Sequence, residues 1–264
     1  MIRLGLSRIG IITEGIDSWS EAAAVLRGET PYRDGELAVL KPAMLKPNER
    51  RRTTRTIKLA LQVTETVLQD YPDRQDLLSV FSSSEGDLDI IDQICQALCL
   101  PDRPVSPTQF HNSVHNAPAG YWSIGSASQA ASCSLAALDG GFSAGLIEAA
   151  TQVYSEQRPA LLVCYDQLPP PLMQSVIPIK APFAVALLLT PEKDPQACLA
   201  HLQLRLDAQG EPDRLANEAL ERLRLSAPAA RSLTLLEAVA SELPSQHRCL
   251  NYLPGLNLHL TITR

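Results

Sequence analysis

The residues of this chain best suited to do chemistry lie where a short apolar run turns into a helix. The run from Leu135 to Leu138 predicts a buried strand, and the segment from Gly140 to Tyr154 predicts a helix. Asp139 lies in the tight turn between them. Enzymes present nucleophiles in such turns because the helix N-terminus offers backbone N–H groups and a positive dipole end. Aspartate is a weak nucleophile but a good helix cap, so we expect Asp139 to be the N-cap, contributing about 1 kcal/mol.

A second candidate nucleophile is Ser143, because the segment Gly141-Phe-Ser143-Ala-Gly145 formally fits Gly-x-Ser-x-Gly. In hydrolases that motif forms an elbow between a strand and a helix, whereas here it falls inside the predicted helix. A stand-alone acyl hydrolase or acyltransferase that uses Ser143 or a histidine therefore remains the alternative. The five histidines are His111, His115, His201, His247 and His259.

The sequence contains one weak indication of a metal site. Cys95 and Cys99 are four residues apart on a predicted helix, a spacing that a metal ion could use. No histidine or second cysteine pair lies nearby to complete such a site. The other four cysteines are scattered, and most of the six lie in apolar runs, as small buried residues do in a reducing cytoplasm. We therefore expect no metal and no cofactor.

Composition excludes several classes of protein. The chain has 264 residues, is 45% hydrophobic and 20% charged, and carries a net charge of −6, which fits a globular protein rather than a disordered one. The only basic cluster is Arg50, Arg51, Arg52 and Arg55, so we expect no nucleic-acid partner. No apolar run approaches the roughly 18 residues of a membrane span, and the N-terminus lacks a signal-peptide pattern. We expect a cytoplasmic protein with no membrane insertion.

The predicted elements alternate between strands and helices. Apolar runs predict strands, among them Leu4 to Ile12, Ala160 to Tyr165 and Leu256 to Thr263. Helical spacing of apolar residues predicts helices, among them Thr53 to Gln69 and Ser232 to Leu243. This alternation favours a layered α/β fold. Because neither an internal repeat nor a disordered linker is evident, residues 1–264 are expected to form one domain.

Several segments resemble the N-terminal half of β-ketoacyl-ACP synthases. In those enzymes an Asn-x-x-Ala-Gly-His stretch precedes, by a fixed interval, a Ser-Ile-x-Thr-Ala-Cys strand that carries the nucleophile. Asn116-Ala-Pro-Ala-Gly120-Tyr-Trp-Ser-Ile124 and Ser134-Leu-Ala-Ala-Leu-Asp139 fit both segments without a gap, so that the family's nucleophile position falls on Asp139. Upstream, Arg51 to Ala60 resembles the family's Arg-Arg-x-x-Arg helix start. The likeness is strongest over residues 1–190.

The resemblance implies a thiolase-like layered α/β/α fold, truncated to the N-terminal half plus a short C-terminal extension. It also implies an inactive subunit, because Asp139 replaces the nucleophile and the family's catalytic histidine motifs are absent. The chain is most similar to the chain length factors that pair with a full-length β-ketoacyl-ACP synthase in polyketide, aryl polyene or fatty acid-type biosynthesis. We therefore expect a non-catalytic subunit of a heterodimer that stabilises the active synthase and shapes its acyl pocket.

The same resemblance assigns residues to the two contacts. The strand before the nucleophile position would pair with the partner; it comprises Ser132, Cys133, Ser134, Leu135, Ala136 and Ala137. An uncharged edge strand is also a hazard unless something covers it. The preceding segment would gate the partner's acyl pocket through Gln109, Phe110, His111 and His115. The arginine cluster at residues 50–55 is a possible contact for an acidic acyl carrier protein.

Overall fold

The computed structural model describes residues 1–192 and 198–264, and in these residues it has one mixed sheet flanked by helices. The strands are β1 (Ile2–Thr13), β2 (Leu78–Ser82), β3 (Ser132–Leu135), β4 (Ala160–Asp166), β5 (Phe183–Pro191), β6 (Ala200–Asp207), β7 (Ser245–Leu253) and β8 (Leu256–Thr263). The helices are α1 (Trp19–Leu26), α2 (Pro47–Arg52), α3 (Arg55–Val67), α4 (Leu88–Leu98), α5 (Pro107–Asn112), α6 (Ala117–Ser126), α7 (Gly141–Glu156), α8 (Glu218–Arg224) and α9 (Leu233–Ala240).

The strands follow the order β3-β2-β4-β5-β1-β6-β8-β7 across the sheet. β2 is parallel to both β3 and β4, while all other neighbours are antiparallel. β3 and β7 are therefore the two edges of this sheet. The parallel strands β3, β2 and β4 form one side of the sheet, and the C-terminal hairpin of β7 and β8 forms the opposite side.

Both faces of the central sheet are covered by helices. Alternate residues of β4 belong to opposite cores: Leu162 to the cluster that includes apolar residues of α7 and α9, and Val163 to the cluster that includes residues of α3 and α6. Because both faces are buried, β4 and β5 are apolar along nearly their whole length, which is why they could be recognised in the sequence. The predicted layered α/β/α fold is confirmed.

The predicted strand from Leu135 to Leu138 is wrong at both ends. β3 begins at Ser132 and ends at Leu135, because its only neighbour, β2, provides just four paired positions there. Leu138 instead begins a short 3-10 turn that ends at Gly140; its φ is +46° and its side chain is 72% exposed. The helix predicted at Ser232 begins one residue later, at Leu233, and ends at Ala240.

Sequence reasoning missed one strand and three short helices. β7 was not predicted because its first half is polar, as an edge strand can be. Two of the helices, α2 and α5, have only six residues each, too few for a clear apolar period. The third, α6, lies in a tract of small residues whose pattern is equally indistinct.

The C-terminal hairpin reaches back to the turn that follows β3. The Ser143 hydroxyl, in the first turn of α7, donates to the carbonyl of Asn251 in β7 at 2.6 Å. A Cβ atom placed on Gly140 would lie 2.0 Å from the carbonyl oxygen of Tyr252. The end of β7 thus contacts the turn after β3 and the first turn of α7, which brings residues from the middle and from the C-terminal part of the chain into one site.

Candidate functional site

Asp139 lies in the short turn between β3 and α7, where it is held by two residues from the C-terminal part of the chain. Its Oδ1 accepts hydrogen bonds from Arg231 Nε at 2.9 Å and from Nη2 at 2.6 Å. The Asn251 amide donates to Oδ2 at 3.0 Å and to the Asp139 carbonyl at 2.8 Å. The arrangement joins the end of the edge strand to β7 and to the turn that carries Arg231.

The prediction that Asp139 caps the helix is wrong. The N-cap of α7 is Gly140, and no side chain accepts a hydrogen bond from the first turn of that helix. The aspartate is turned instead toward the guanidinium of Arg231, whose side chain is only 13% exposed and has no other carboxylate partner within ion-pair distance among the described residues. A charge-assisted, two-pronged bond of this kind is stronger than a cap to a neutral N–H.

The same bonds limit what Asp139 can do chemically. Both carboxylate oxygens of Asp139 already accept hydrogen bonds, one from a guanidinium and one from an amide, so the group is oriented toward the chain's own residues. The pairing could not be found in the sequence, because Arg231 and Asn251 lie 92 and 112 residues further along the chain. Neither belongs to a recognisable motif.

A second aspartate, Asp166, bonds to the turn that carries Arg231. It is buried at the end of β4, where Oδ1 accepts from the backbone N–H and the hydroxyl of Ser84 at 2.9 and 2.8 Å. Its Oδ2 accepts from the N–H of Ala229 at 2.7 Å. Ala229 belongs to the 3-10 turn Pro228–Ser232 that also carries Arg231, so the two aspartates fasten the same turn.

Burial raises the pKa of Asp166 to about 6, although the hydrogen bonds from Ser84 and Ala229 oppose that shift. The native state therefore binds a proton more readily than the unfolded chain between about pH 4 and pH 6. The stability that this group contributes is fully present below pH 4 and is lost as the pH rises through 6. A shift of about two units corresponds to something on the order of 3 kcal/mol.

Comparing unfolding of the wild type with Asp166→Asn tests this pH dependence. The amide keeps an acceptor for Ser84 but places a donor against the Ala229 N–H, so the variant should be less stable than the wild type at pH 4. The difference in unfolding free energy should shrink from pH 4 to pH 8, measured by urea denaturation. A difference that stays constant or grows over that range would contradict a raised pKa.

Ser143 is placed for structure rather than for hydrolysis. Its side chain is 1% exposed, and its hydroxyl donates to a backbone carbonyl, which cannot take up a proton. Within the described residues it makes no hydrogen bond to a histidine. His247 and His259 instead contact each other, with Nε2 and Nδ1 3.1 Å apart. Among the described residues, Ser143 therefore has no hydrogen-bonded base that could activate it as the nucleophile of a hydrolase.

The six residues predicted to contact a partner lie at the open end of the sheet. β3 pairs with β2 alone, and the Ser79 and Ser83 N–H groups donate to the carbonyls of Ala131 and Leu135. Because backbone groups alternate in direction along a strand, those of Ser132 and Ser134 point away from β2. Ser132 and Ala136 are exposed, while Cys133, Ser134, Leu135 and Ala137 are half-buried. No described residue of the chain bonds to these outward N–H and C=O groups, so they can serve as donors and acceptors for another strand.

The four predicted pocket residues are divided among three places. Phe110 and His111, on α5, line an apolar groove of about 450 Å³ together with Tyr121 and Ile124 of α6. Gln109 faces the other way and donates to Gln93 at 2.7 Å. The remaining residue, His115, contacts the end of β3, where its Nε2 lies 3.0 Å from the Leu135 carbonyl oxygen. Sequence reasoning missed Tyr121 and Ile124, although both belong to the segment that carried the family resemblance.

The remaining candidates show no built binding site. Cys95 and Cys99 are free and exposed, and across the described ranges no group of three or more His, Cys, Asp or Glu side chains could hold a metal ion. Arg51 and Arg52 are exposed at the end of α2, Arg55 is exposed at the start of α3, and none of the three forms an ion pair with any described carboxylate. No helix in the described part of the chain is long and apolar enough to cross a bilayer.

Comparison with known proteins places these features in a family. The profile of the family described as β-ketoacyl synthase, N-terminal domain, matches residues 18–245. No curated protein matches the chain in sequence.

Three solved structures show the shared fold. A ketosynthase in complex with its chain length factor from Xenorhabdus doucetiae matches with 24% identity and a TM-score of 0.75, over 100% of both chains. The ishigamide ketosynthase/chain length factor matches with 12% identity and a TM-score of 0.76, over 100% of this chain and 99% of the other. A type II polyketide synthase acyl-carrier protein in complex with its ketosynthase matches with 12% identity and a TM-score of 0.78, over 99% of both.

Proposed function

Because this chain belongs to the β-ketoacyl synthase N-terminal-domain family, we propose that it is a ketosynthase-like subunit that does not catalyse condensation itself and pairs with an active β-ketoacyl-ACP synthase. The observation that carries the proposal is the state of Asp139, at the position that the resemblance assigns to the nucleophile. The aspartate is tied to Arg231 and Asn251, and the strand leading to it is an open sheet edge.

The chemistry of condensation supports a non-catalytic role. A decarboxylative condensation needs a thiolate to hold the acyl chain and imidazoles to stabilise the developing enolate. At position 139 this chain has a carboxylate bonded to a guanidinium, and Nε2 of His115, at the end of β3, lies 3.0 Å from the Leu135 carbonyl oxygen. An active partner would have to supply both groups.

The partner is proposed to bind along β3. An extended strand of the partner can add to this edge by bonding to the outward N–H and C=O groups of Ser132 and Ser134. The groove beside Phe110 lies on the α5–α6 segment, which His115 links to the end of the same strand. A subunit bound there would therefore meet both the strand and the groove. This geometry is consistent with a role in shaping an acyl pocket.

The solved relatives suggest the setting of this activity. Their names include a ketosynthase with its chain length factor and an acyl-carrier protein bound to its ketosynthase. By analogy we propose biosynthesis of the polyketide, aryl polyene or fatty acid type. An acidic acyl carrier protein would find unpaired positive charge at Arg51, Arg52 and Arg55.

Co-expression with a full-length ketosynthase encoded beside this chain tests the proposal. We expect the two chains to co-purify as a heterodimer, and the complex to condense acyl and malonyl thioesters. This chain alone should turn over neither substrate. Thioester turnover by the purified chain, or two chains that never associate, would overturn the proposal.

Replacing Asp139 with alanine should leave product formation by the complex within about twofold of the wild type. The variant loses its bonds to Arg231 and Asn251, so its unfolding free energy should fall by about 1–2 kcal/mol. Mass spectrometry of carrier-bound products and urea denaturation measure the two effects. If turnover were lost while the heterodimer stayed intact, Asp139 would be a catalytic residue.

Replacing Phe110 with alanine should shift the complex toward longer products at similar total flux. The ring is 68% exposed in this chain and forms one wall of the groove, so its truncation adds space for several methylene groups. Each further methylene buried there favours a longer chain by about 0.8 kcal/mol. An unchanged product profile for Phe110→Ala and His111→Ala would mean that this subunit only stabilises its partner.

A further inference from the structure

The two edge strands of the sheet differ in what meets their outward backbone groups. Along a β-strand, the N–H and C=O groups of one residue point to one side and those of the next residue point to the other. The outward groups of Ser132 and Ser134, in β3, bond to no described residue of the chain. β7 pairs only with β8 among the described strands, and the backbone groups of Cys249, at the middle of its nine residues, point away from β8. Unlike β3, this edge is covered at its centre.

The cover is Asp213, which lies in the loop between β6 and α8. Its backbone N–H donates to the Cys249 carbonyl at 2.8 Å, and its Oδ2 accepts from the Cys249 N–H at 2.8 Å. One aspartate thus makes both of the bonds that a residue of an added strand would make with Cys249. The loop is fastened in turn by Asn257 of β8, whose side-chain amide donates to the Gly210 carbonyl at 2.7 Å. An incoming strand can pair with the middle of β7 only after displacing Asp213.

Two further side chains occupy outward carbonyls of β7 on either side of Cys249. The carbonyl of His247 accepts from the guanidinium of Arg248 at 2.9 Å, and that of Asn251 accepts from the Ser143 hydroxyl at 2.6 Å. Three successive outward acceptors of this strand therefore have donors within the chain. Charged side chains and covering loops are the means by which natural sheets keep their edges from pairing with other chains.

Closing one edge limits how many chains can add to the sheet. A sheet that is open at both edges takes a neighbour on each side, so assembly can continue without end, whereas a sheet open at one edge stops after one neighbour. We propose that Asp213 closes the β7 edge to strand addition, so that the sheet of this chain takes a strand partner at β3 alone and assembly stops at one partner. Only the identity of that partner rests on the proposed function; the closure of β7 does not.

Sedimentation velocity of the purified chain tests the closure of β7. Asp213→Ala leaves the Cys249 N–H without its acceptor, which the carbonyl of a second copy's strand can replace. We expect the mass of the Asp213→Ala species to be about twice that of the wild type at high concentration, because one more edge is open to pairing. The wild type should not exceed a dimer at any concentration, since pairing of two β3 edges closes the assembly. A wild type that grows beyond a dimer, or an unchanged mass for a folded Asp213→Ala chain, would overturn the proposal.

Three more chains serve as controls. Asp213→Asn keeps an oxygen acceptor for the Cys249 N–H, and Asp207→Ala removes an aspartate at the end of β6 whose carboxylate bonds to Gln209 instead. Both should have the mass of the wild type. In the double variant Asp213→Ala/Ser134→Pro the proline ring also blocks β3, so this chain should stop at a dimer. Growth of the double variant beyond a dimer would mean aggregation by another route and would count against the proposal.

Amide hydrogen exchange tests the same closure in the wild type, so the proposal stays testable if Asp213→Ala does not fold. The Cys249 N–H should exchange about 100-fold more slowly than in the unfolded chain, because Asp213 accepts its hydrogen bond. Exchange at the rate of the unfolded chain would show that the edge is open. None of these measurements needs a ketosynthase. A chain that behaves as expected in them yet never binds a ketosynthase would refute the proposed function and leave the closure of β7 standing.

Discussion

A Ser134→Pro chain is expected to bind its ketosynthase partner about 100-fold more weakly than the wild type while remaining folded. The Ser134 N–H points away from β2, so proline removes a donor from the free edge without breaking a bond of the chain's own sheet. The ring also occupies the space that an added strand would approach. One lost donor and one orphaned carbonyl on the partner cost about 3 kcal/mol, which corresponds to that factor.

The matched control is proline at the next residue. The backbone of Leu135 faces β2, where its carbonyl accepts from Ser83 at 3.2 Å. Its N–H faces the same strand, so Leu135→Pro removes a donor from the chain's own sheet and should destabilise the chain itself. Co-purification with tagged ketosynthase and measurement of the dissociation constant give the affinity of Ser134→Pro for the partner. Urea denaturation gives the unfolding free energy of both variants. If Ser134→Pro binds as tightly as the wild type, the partner binds to another surface.

Replacing Gly140 with alanine should lower the unfolding free energy by about 3 kcal/mol or more. The new Cβ would lie 2.0 Å from the carbonyl oxygen of Tyr252, which is backbone and cannot rotate away. The end of β7 would have to move, and with it the bonds that join Asn251 to Ser143 and Asp139. Forced repacking and lost buried hydrogen bonds add to this cost.

The neighbouring glycine provides the control for this variant. A Cβ on Gly141 would lie 3.5 Å from the Ser82 hydroxyl, an ordinary contact, and its φ is −55°. Gly141→Ala should therefore change the unfolding free energy by less than about 1 kcal/mol, on the stabilising side if at all. Urea denaturation of the two variants gives the comparison. Equal stability of both would mean that β7 does not pack against the turn as described.

The two glycine variants bear on the role of the C-terminal segment, because β7 and the turn carrying Arg231 immobilise the residues after the edge strand. Asp166 and Asp139 fasten that turn from two sides, through Ala229 and Arg231. The turn that follows β3 is thereby held in place relative to the sheet. A partner that binds β3 would meet a preformed edge, which lowers the ordering cost of association.

The sequence by itself determined the class of the fold and the position of its central elements. β4 and β5 are apolar along their length because helices cover both faces of the sheet, and α3 carries Ile57 and Leu61 at helical spacing for the same reason. The resemblance around Asn116 and Asp139 also identified the segments that form the edge strand and the groove. These signals are local, so they can be recognised without knowing what packs against them.

The tertiary structure alone decided what those residues contact. Asp139 was expected to cap α7, yet it bonds to Arg231 and Asn251, about a hundred residues away. Position 140 requires glycine because the carbonyl of Tyr252, in β7, lies against it. The polar first half of β7 kept that strand from being predicted. Phe110 of α5 and Ile124 of α6 line one groove, although fourteen residues separate them in the sequence. Such contacts depend on how distant segments meet in three dimensions, and no periodicity of neighbouring residues records that meeting.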